Sequence, residues 1–471
     1  MNPSGVGEGG GNIGRQAPAS LAATLARNPL FRERSSDDRR PDQASDEMRT
    51  RSMPRREART KIVQRVDDPS PERANAQALD DLENGAEGLA IVFDGALNAF
   101  GNGLPVSQEA LTTALADVPL TRTHIRLDAH PQSRASVDWL VQLLAARRIS
   151  PDRLDISFGI DPAALFAGTG RLRMSIEAMH ASMPQSLAHF FALGVPGILL
   201  EADGRVFHNA GATDAQELGI MLASAVSYLR MFEGARQPVL YAAAHVGFST
   251  SLDQDHSRSV AKLRALQILW ARVLESYGVP AADPVIHAEA SYRMLTSRAP
   301  ETNLARCALS AAAALEGGAS TFCSLPHTLP LGLPDAHSRR MSRDTLLVLA
   351  AEGNLASADD GPGSGLEELI ASLCDSAWNE LQDIEDEGGI LKSISNGRIQ
   401  ARIAEARRIE AERLREGSVP IVGTTLYPSK ENGRKARPPS RPSAASEDGI
   451  IFCESLPAIR LEELMEENTG N

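Results

Sequence analysis

Several signals are missing from the chain, and each absence removes a class of function. No stretch approaches the roughly 20 unbroken apolar residues that a membrane span requires, and the start carries no apolar run of a secretory signal, so a cytoplasmic protein is expected. The arginine-rich beginning resembles an organelle transit peptide only until Glu8, Glu33, Asp37, Asp38 and Asp42 are counted, too many acids for that class. Positive charge is short overall. The net charge of −13 repels phosphate backbones, which excludes nucleic acid as a partner. Cysteine is scarce and scattered: Cys307, Cys323, Cys374 and Cys453 include no pair at the two-residue separation of a zinc or redox site. They read as reduced cytoplasmic thiols. Neither G-x-G-x-x-G nor G-x-x-x-x-G-K-[ST] follows a strand, and Gly168-Thr-Gly170 is a lone turn, so nothing points to a dinucleotide or to phosphoryl transfer. H-E-x-x-H and G-x-S-x-G are absent as well.

What is present is a globular composition, 471 residues with 42% hydrophobic and 23% charged, enough for one large domain with extensions. Residues 1–60 are rich in Gly, Ser, Pro, Arg and Asp, lack apolar periodicity, and are expected to form a disordered arm. Helical spacing then starts at Ala74 to Asn84, and Gly88 to Asp94 is a short apolar run of the kind a buried strand makes. Further strand-like runs occur at His124 to Asp128, Leu154 to Ile160, Gly197 to Glu201, Val239 to His245, Val285 to Ala290 and Ser320 to Leu325. Between them lie helix-like segments such as Ser136 to Arg147, Ala215 to Met231, Val260 to Ser276 and Leu304 to Glu316. Strands separated by such crossovers form parallel sheets. Seven candidates, with an eighth expected after the helix Arg339 to Leu349, predict an α/β fold, a (β/α)8 TIM-type barrel over residues 61–360. A helical extension over 361–417 follows, built on Leu366 to Asp386 and Arg398 to Arg415. Residues 418–471 read as a linker-like tail.

A barrel of this type puts its chemistry at strand ends, where His208, His245, His287 and His327 are expected. No carboxylate accompanies all four at a fixed offset, so each reads as a hydrogen-bonded structural histidine and no metal site is expected.

Five ordered blocks carry a resemblance. They are the run from Arg205-Val-Phe-His-Asn-Ala-Gly-Ala-Thr-Asp to Tyr-Leu-Arg230, then Ala261 to Arg272, Leu295 to Arg306, Gly317-Gly-Ala-Ser320, and Leu331-Gly-Leu-Pro-Asp-Ala-His-Ser-Arg-Arg340. On physical grounds Thr302 and Asn303 suit a helix cap, and Gly317-Gly318 suits its end, where a positive φ is needed. Lys262, Arg264 and Arg272 are expected to ring the outside of one helix. Together the blocks resemble the methylmalonyl-CoA mutase family. In its catalytic chains a histidine at the position of His208 contacts the substrate thioester, but here Asn209-Ala-Gly-Ala makes a loop two residues shorter. Arg51 to Val66 contains no tyrosine or tryptophan where that family carries a radical-steering tyrosine.

The family's cobalamin loop, Asp-x-His-x-x-Gly, is met only in its first three letters by Asp128-Ala-His130 and Asp335-Ala-His337, with Ser133 and Arg340 in the glycine position. Val419 to Pro428 and Leu456 to Arg460 resemble the stretch that leads toward the cobalamin-type domain, which is expected to lie outside this chain.

The resemblance therefore implies a small, non-catalytic subunit that binds no cofactor or metal itself. It would form a heterodimer with a catalytic large subunit that carries adenosylcobalamin and interconverts (R)-methylmalonyl-CoA and succinyl-CoA. His208 is then a vestigial catalytic candidate. An alternative is the substrate-binding half of an acyl-CoA mutase that borrows a separate cobalamin-binding chain. A binding or chaperone-like barrel that detects acyl-CoA without turnover is a third reading.

Overall fold

The structure, a computed structural model, describes residues 59–234, 236–353, 365–428 and 449–466. The expected arm therefore lies almost wholly outside the described residues, as does the middle of the expected tail. Eight parallel strands form one sheet: β1 (Lys61–Val66), β2 (Gly88–Ile91), β3 (His124–Leu127), β4 (Asp155–Phe158), β5 (Leu200–Asp203), β6 (Val246–Leu252), β7 (Val285–Ala290) and β8 (Thr321–Cys323). Their order, β4-β3-β2-β1-β8-β7-β6-β5, is that of a barrel opened at one place. There Ser157 and Ile198 make a single parallel bridge, and Phe158 N–H donates to the Ile198 carbonyl at 2.8 Å. A TIM-type barrel results, closed along seven ladders and one short seam.

Two strand expectations need correction. Val239 to His245 is not a strand: Val239–Ala243 is a short helix, and the strand begins at Val246. A continuous apolar run has no periodicity with which to tell the two apart. Among the described residues no barrel strand follows the Arg339 to Leu349 helix. The eighth strand is β1, at the other end of the count, where Ile62 to Val66 are all buried.

The crossover helices are α1 (Pro71–Glu83), α2 (Gln108–Ala114), α3 (Ser133–Ala146), α4 (Pro162–Thr169), α5 (Ile176–Ala192), α6 (Arg205–Asn209), α7 (Asp214–Gly234), α8 (Val239–Ala243), α9 (His256–Ser276), α10 (Thr302–Gly317) and α11 (Ala336–Ala351). Their starts follow local chemistry. Ser70 accepts from the Arg73 N–H ahead of Pro71, and Asp161 accepts from Ala163 and Ala164 ahead of Pro162, the pairing of side-chain cap and N-terminal proline that satisfies orphan donors. Gly318, with φ of 80°, ends α10 as expected. Thr302 and Asn303 do not cap it. The Asn303 side chain turns inward, accepting from Thr296 N–H at 2.9 Å and donating to the Thr296 and His327 carbonyls at 2.9 Å each.

After the barrel come α12 (Leu366–Asp386), α13 (Ile390–Ser395) and α14 (Arg398–Arg415). α12 buries Leu366, Ile370, Leu373, Ala377, Leu381 and Ile384 at the three- and four-residue spacing of one helix face. This face lies against α7 and α9, which is why α7 is buried on nearly every side. Contact is close at Gly219, where an added Cβ would stand 2.6 Å from the Glu380 Cβ. Residues 449–466 include α15 (Glu463–Glu466) and return to the barrel, where Ile451–Phe452 pair antiparallel with Arg171–Leu172.

Candidate functional site

β5 delivers a short turn and then α6, which places His208 at the carboxyl end of the barrel. The ring is fully buried, with Nδ1 3.1 Å from Glu217 Oε2 and Nε2 2.8 Å from Ser291 Oγ. Glu217, in the first turn of α7, also accepts from Thr250 Oγ1 at 2.6 Å and from Ser251 N–H at 3.1 Å. Lys262 of α9 completes the cluster. Its ammonium is 2.8 Å from Glu217, 3.1 Å from Asp214 and 2.6 Å from the Ser251 carbonyl. Arg258 reaches Asp214 from the surface at 2.7 Å.

Burial pushes the His208 pKa down, with Arg293 adding to it, so the imidazole is neutral at pH 7. Burial would raise Glu217, but Lys262 and His208 outweigh it and hold the carboxyl at about 2. An ionised Glu217 fixes the tautomer: Nδ1–H donates to the carboxylate, and Nε2 accepts from the Ser291 hydroxyl. Both ring nitrogens are thus committed within the protein.

His208, Asp214 and Glu217 are, among the described residues, the group whose ligand atoms come close enough for a metal, all within 4.8 Å. Lys262 already supplies the cation these carboxylates need. Its three donors point at two carboxylates and a carbonyl, the positions a divalent ion would take.

The other histidines do not gather here. His327 follows β8, with its backbone carbonyl on Asn303. His287 lies within β7, facing Thr321 Oγ1 at 2.8 Å, and burial drives its pKa well down. His245 precedes β6 at the opposite end of the barrel, its Nδ1 2.7 Å from the Gly197 carbonyl. Sequence reasoning missed Glu217, Asp214 and Ser291, and it misread Lys262, which is 2% exposed rather than on the outside of its helix. The signal for Glu217 was its place nine residues after His208, within the first resembling block.

Along the barrel axis the expected branched apolar layers give way to buried ions. Arg65 of β1 contacts Asp67 at 3.1 Å and Glu289 of β7 at 3.0 Å. Arg126 of β3 contacts Asp128 at 2.8 Å and Glu201 of β5 at 2.7 Å. Arg205 contacts Asp128 at 3.0 Å, Asp203 at 2.8 Å and Glu289 at 3.3 Å, and Arg339 reaches Asp67 at 2.7 Å. Four guanidiniums thus face five carboxylates. Burial lifts the pKa of Glu201 and of Glu289 against the pull of the arginines.

The two Asp-x-His triplets serve other ends. Asp128 belongs to the axial network, and His130 is fully buried, 4.7 Å from the Phe93 ring with Nε2 3.2 Å from Ser136 Oγ. Asp335 caps α11 by accepting from Ser338 N–H at 2.8 Å, with His337 exposed in the first turn.

Comparison with known proteins agrees with this geometry. A family model described as methylmalonyl-CoA mutase matches residues 50–451. The methylmalonyl-CoA mutase small subunit of Streptomyces virginiae is 34% identical over 87% of this chain and 64% of that protein. The small subunit of Propionibacterium freudenreichii subsp. shermanii is 27% identical over 86% and 62%. The large subunit from the same organism is 30% identical over 48% of this chain and 32% of that protein. The chain spans just under two thirds of the length of these small subunits. It belongs to the methylmalonyl-CoA mutase family.

Proposed function

We propose that this chain is the small, non-catalytic subunit of a heterodimeric, adenosylcobalamin-dependent methylmalonyl-CoA mutase of the cytoplasm. It pairs with a catalytic large subunit that carries the cobalamin and interconverts (R)-methylmalonyl-CoA and succinyl-CoA. The observation that carries the non-catalytic part is the occupied barrel axis. Arg65, Arg126 and Arg205 span it with their carboxylates, each 2% exposed or less, and an acyl-CoA chain entering there would have to break buried ion pairs, each costing several kcal/mol to desolvate and part. His208 supports the same reading, because neither ring nitrogen is free to reach a thioester carbonyl. The residues present do not fit a cobalt ligand either. His130 is enclosed beside Phe93, and His337 sits on a helix turn rather than in a loop of an α/β domain.

The remaining role is to stabilise the catalytic partner through a large shared surface, as obligate subunits do. The test is co-expression with a catalytic large subunit, followed by adenosylcobalamin-dependent assays of each chain and of the purified pair. The expected result is activity in the pair and none in this chain alone. Turnover by this chain alone with free adenosylcobalamin would remove the proposal. The alternative of a substrate-binding half would instead predict saturable acyl-CoA binding by the isolated chain.

A further inference from the structure

Residues 449–466 take a course that the mutase reading does not explain. Cys453 N–H donates to the Gly170 carbonyl at 2.9 Å, Leu456 N–H to Ala167 at 2.9 Å, Ile459 N–H to Asn209 at 2.8 Å and Leu461 N–H to Arg293 at 2.9 Å. These acceptors follow β4, β5 and β7 at their carboxyl ends. The segment is therefore laid across one side of the barrel mouth.

Arg460 is its inward-pointing residue, 2% exposed. Its guanidinium donates to Glu463 Oε1 at 2.6 Å and to Glu462, and its charge acts on the nearby Tyr292 hydroxyl. Glu462 is in turn fixed by the Ser297 N–H and hydroxyl, both at 2.8 Å. The Tyr292 ring lies flat on Phe100, with centroids 4.1 Å apart and planes 5° apart, and the Arg65 guanidinium stands 5.4 Å from the Phe100 centroid. A column thus runs from the tail through two stacked rings to the axial ion network. The rings come from the loops after β2 and β7, so the stack bridges the mouth as a ceiling.

Three observations mark this closed arrangement as one of two states. Phe100 is held at φ of 50°, a left-handed conformation that a bulky residue keeps only while its surroundings enforce it. The Asn209 side chain, 1% exposed beneath the strap, has no hydrogen-bond partner among the described residues on either polar atom, a cost that opening to water would relieve. The leading end of the strap is loosely held. Leu456, Ile459 and Leu464 are buried, the last two against Ala411, Leu414 and Ile421, but Ile450 and Phe452 remain 67% and 58% exposed.

We propose that residues 449–466 are a releasable strap that closes the barrel mouth in cis, with Arg460 as the latch that holds the Tyr292–Phe100 ceiling over the ion network. Strap and ceiling open together as one unit without unfolding of the barrel. Opening would bring water to Tyr292 and to the Ser291 hydroxyl beneath it. This device does not depend on which reaction the complex performs.

Native-state hydrogen exchange on the full chain tests it, together with nitration of Tyr292 read by peptide mass spectrometry. The amides of Ile459 and Leu461 should exchange in step with that of Leu295, which bonds the Tyr292 carbonyl, and about tenfold or more faster than those of β6, the behaviour of a sub-global unit. Arg460→Gln should speed both sets together and make Tyr292 reactive, while β6 amides and the buried Tyr228 stay protected. Exchange of Leu295 only in step with β6 in the unmodified chain overturns the proposal, and that measurement needs no variant to fold. So does an Arg460→Gln chain whose strap loosens while Tyr292 stays unreactive.

Discussion

The Lys262 ammonium stands 2.8 Å from the Glu217 carboxylate, and neither group reaches solvent. A buried pair of this kind is worth little against a well-packed apolar substitute, but removing one partner leaves the other charged and unpaired. Lys262→Met should therefore destabilise the chain by about 3–5 kcal/mol, the usual cost of breaking a buried pair. Urea denaturation measures it. A loss below about 1 kcal/mol, the range of exposed pairs, would mean that the cluster is hydrated.

The same cluster sets a pH dependence. Glu217 is held at about 2 in the folded chain against an ordinary 4.5, so the unfolded chain binds more protons between those values. Its stabilisation is complete above about pH 5 and is lost as pH falls through the folded value. His208, whose pKa is lowered by burial, acts in the same direction, because unfolding lets it take up a proton below its ordinary 6.5. Glu201 and Glu289, raised by burial, pull the other way, so the prediction is read as a difference: below about pH 6 the melting temperature of the unmodified chain should fall more steeply than that of Glu217→Gln. Parallel profiles for the two chains would contradict the Glu217 assignment.

His208→Ala should cost stability rather than rate. It strips a partner from each of Glu217 and Ser291, at about 1–3 kcal/mol for each group left unsatisfied. Turnover per assembled heterodimer should be unchanged, with subunit content checked so that weaker assembly does not imitate a catalytic defect. A fall of about 10²–10³, the worth of a hydrogen bond made in the transition state, would make His208 catalytic and reverse the non-catalytic reading.

Arg126 and Glu201 face each other across the barrel at 2.7 Å. Arg126→Leu alone strands Glu201, leaves Asp128 to Arg205, and should cost about 3–5 kcal/mol. Adding Glu201→Leu should recover part of that loss, a coupling of about 1 kcal/mol or more in a double-mutant cycle. Additive losses would show that the two groups are not in contact along the axis.

The purified chain should take up no cobalamin at micromolar concentration, measured by equilibrium dialysis and by the cobalt–histidine absorption band. Stoichiometric uptake would show a ligand that neither Asp-x-His triplet supplies.

The barrel was legible in the alternation of short apolar runs with amphipathic helices, because that period is what a parallel sheet covered by helices demands. β1 was not: Lys61, Gln64 and Arg65 break its apolar character, and only the fold reveals that Arg65 points inward to Glu289. For the same reason the axial network could not be read, since charged residues at strand positions ordinarily mean solvent. Lys262 follows Ala261 on α9 and looks like a surface residue until α7 brings two carboxylates to it. His245 is misplaced in sequence because Val239 to His245 reads as a strand, and a strand that begins at Val246 carries that ring to the other end. The composition of the tail spoke for a linker, while Leu456, Ile459, Leu461 and Leu464 with one arginine among them are too few to form a pattern.

The seam between β4 and β5 makes this barrel a scroll rather than a hoop. Seven junctions share load along parallel ladders, but the eighth hangs on the Ser157–Ile198 bridge beside Gly197, whose φ of 83° and 2.0 Å clearance between an added Cβ and the Ile156 carbonyl admit no side chain. Pulled apart at its edges, the wall would unroll from there, with the β4 and β5 halves swinging away from each other while β8, β1 and β2 act as the spine. A circular permutant cut in the connection between β4 and β5 would keep every ladder, because β8 and β1 in the spine are joined by hydrogen bonds and not by a strand-to-strand crossover.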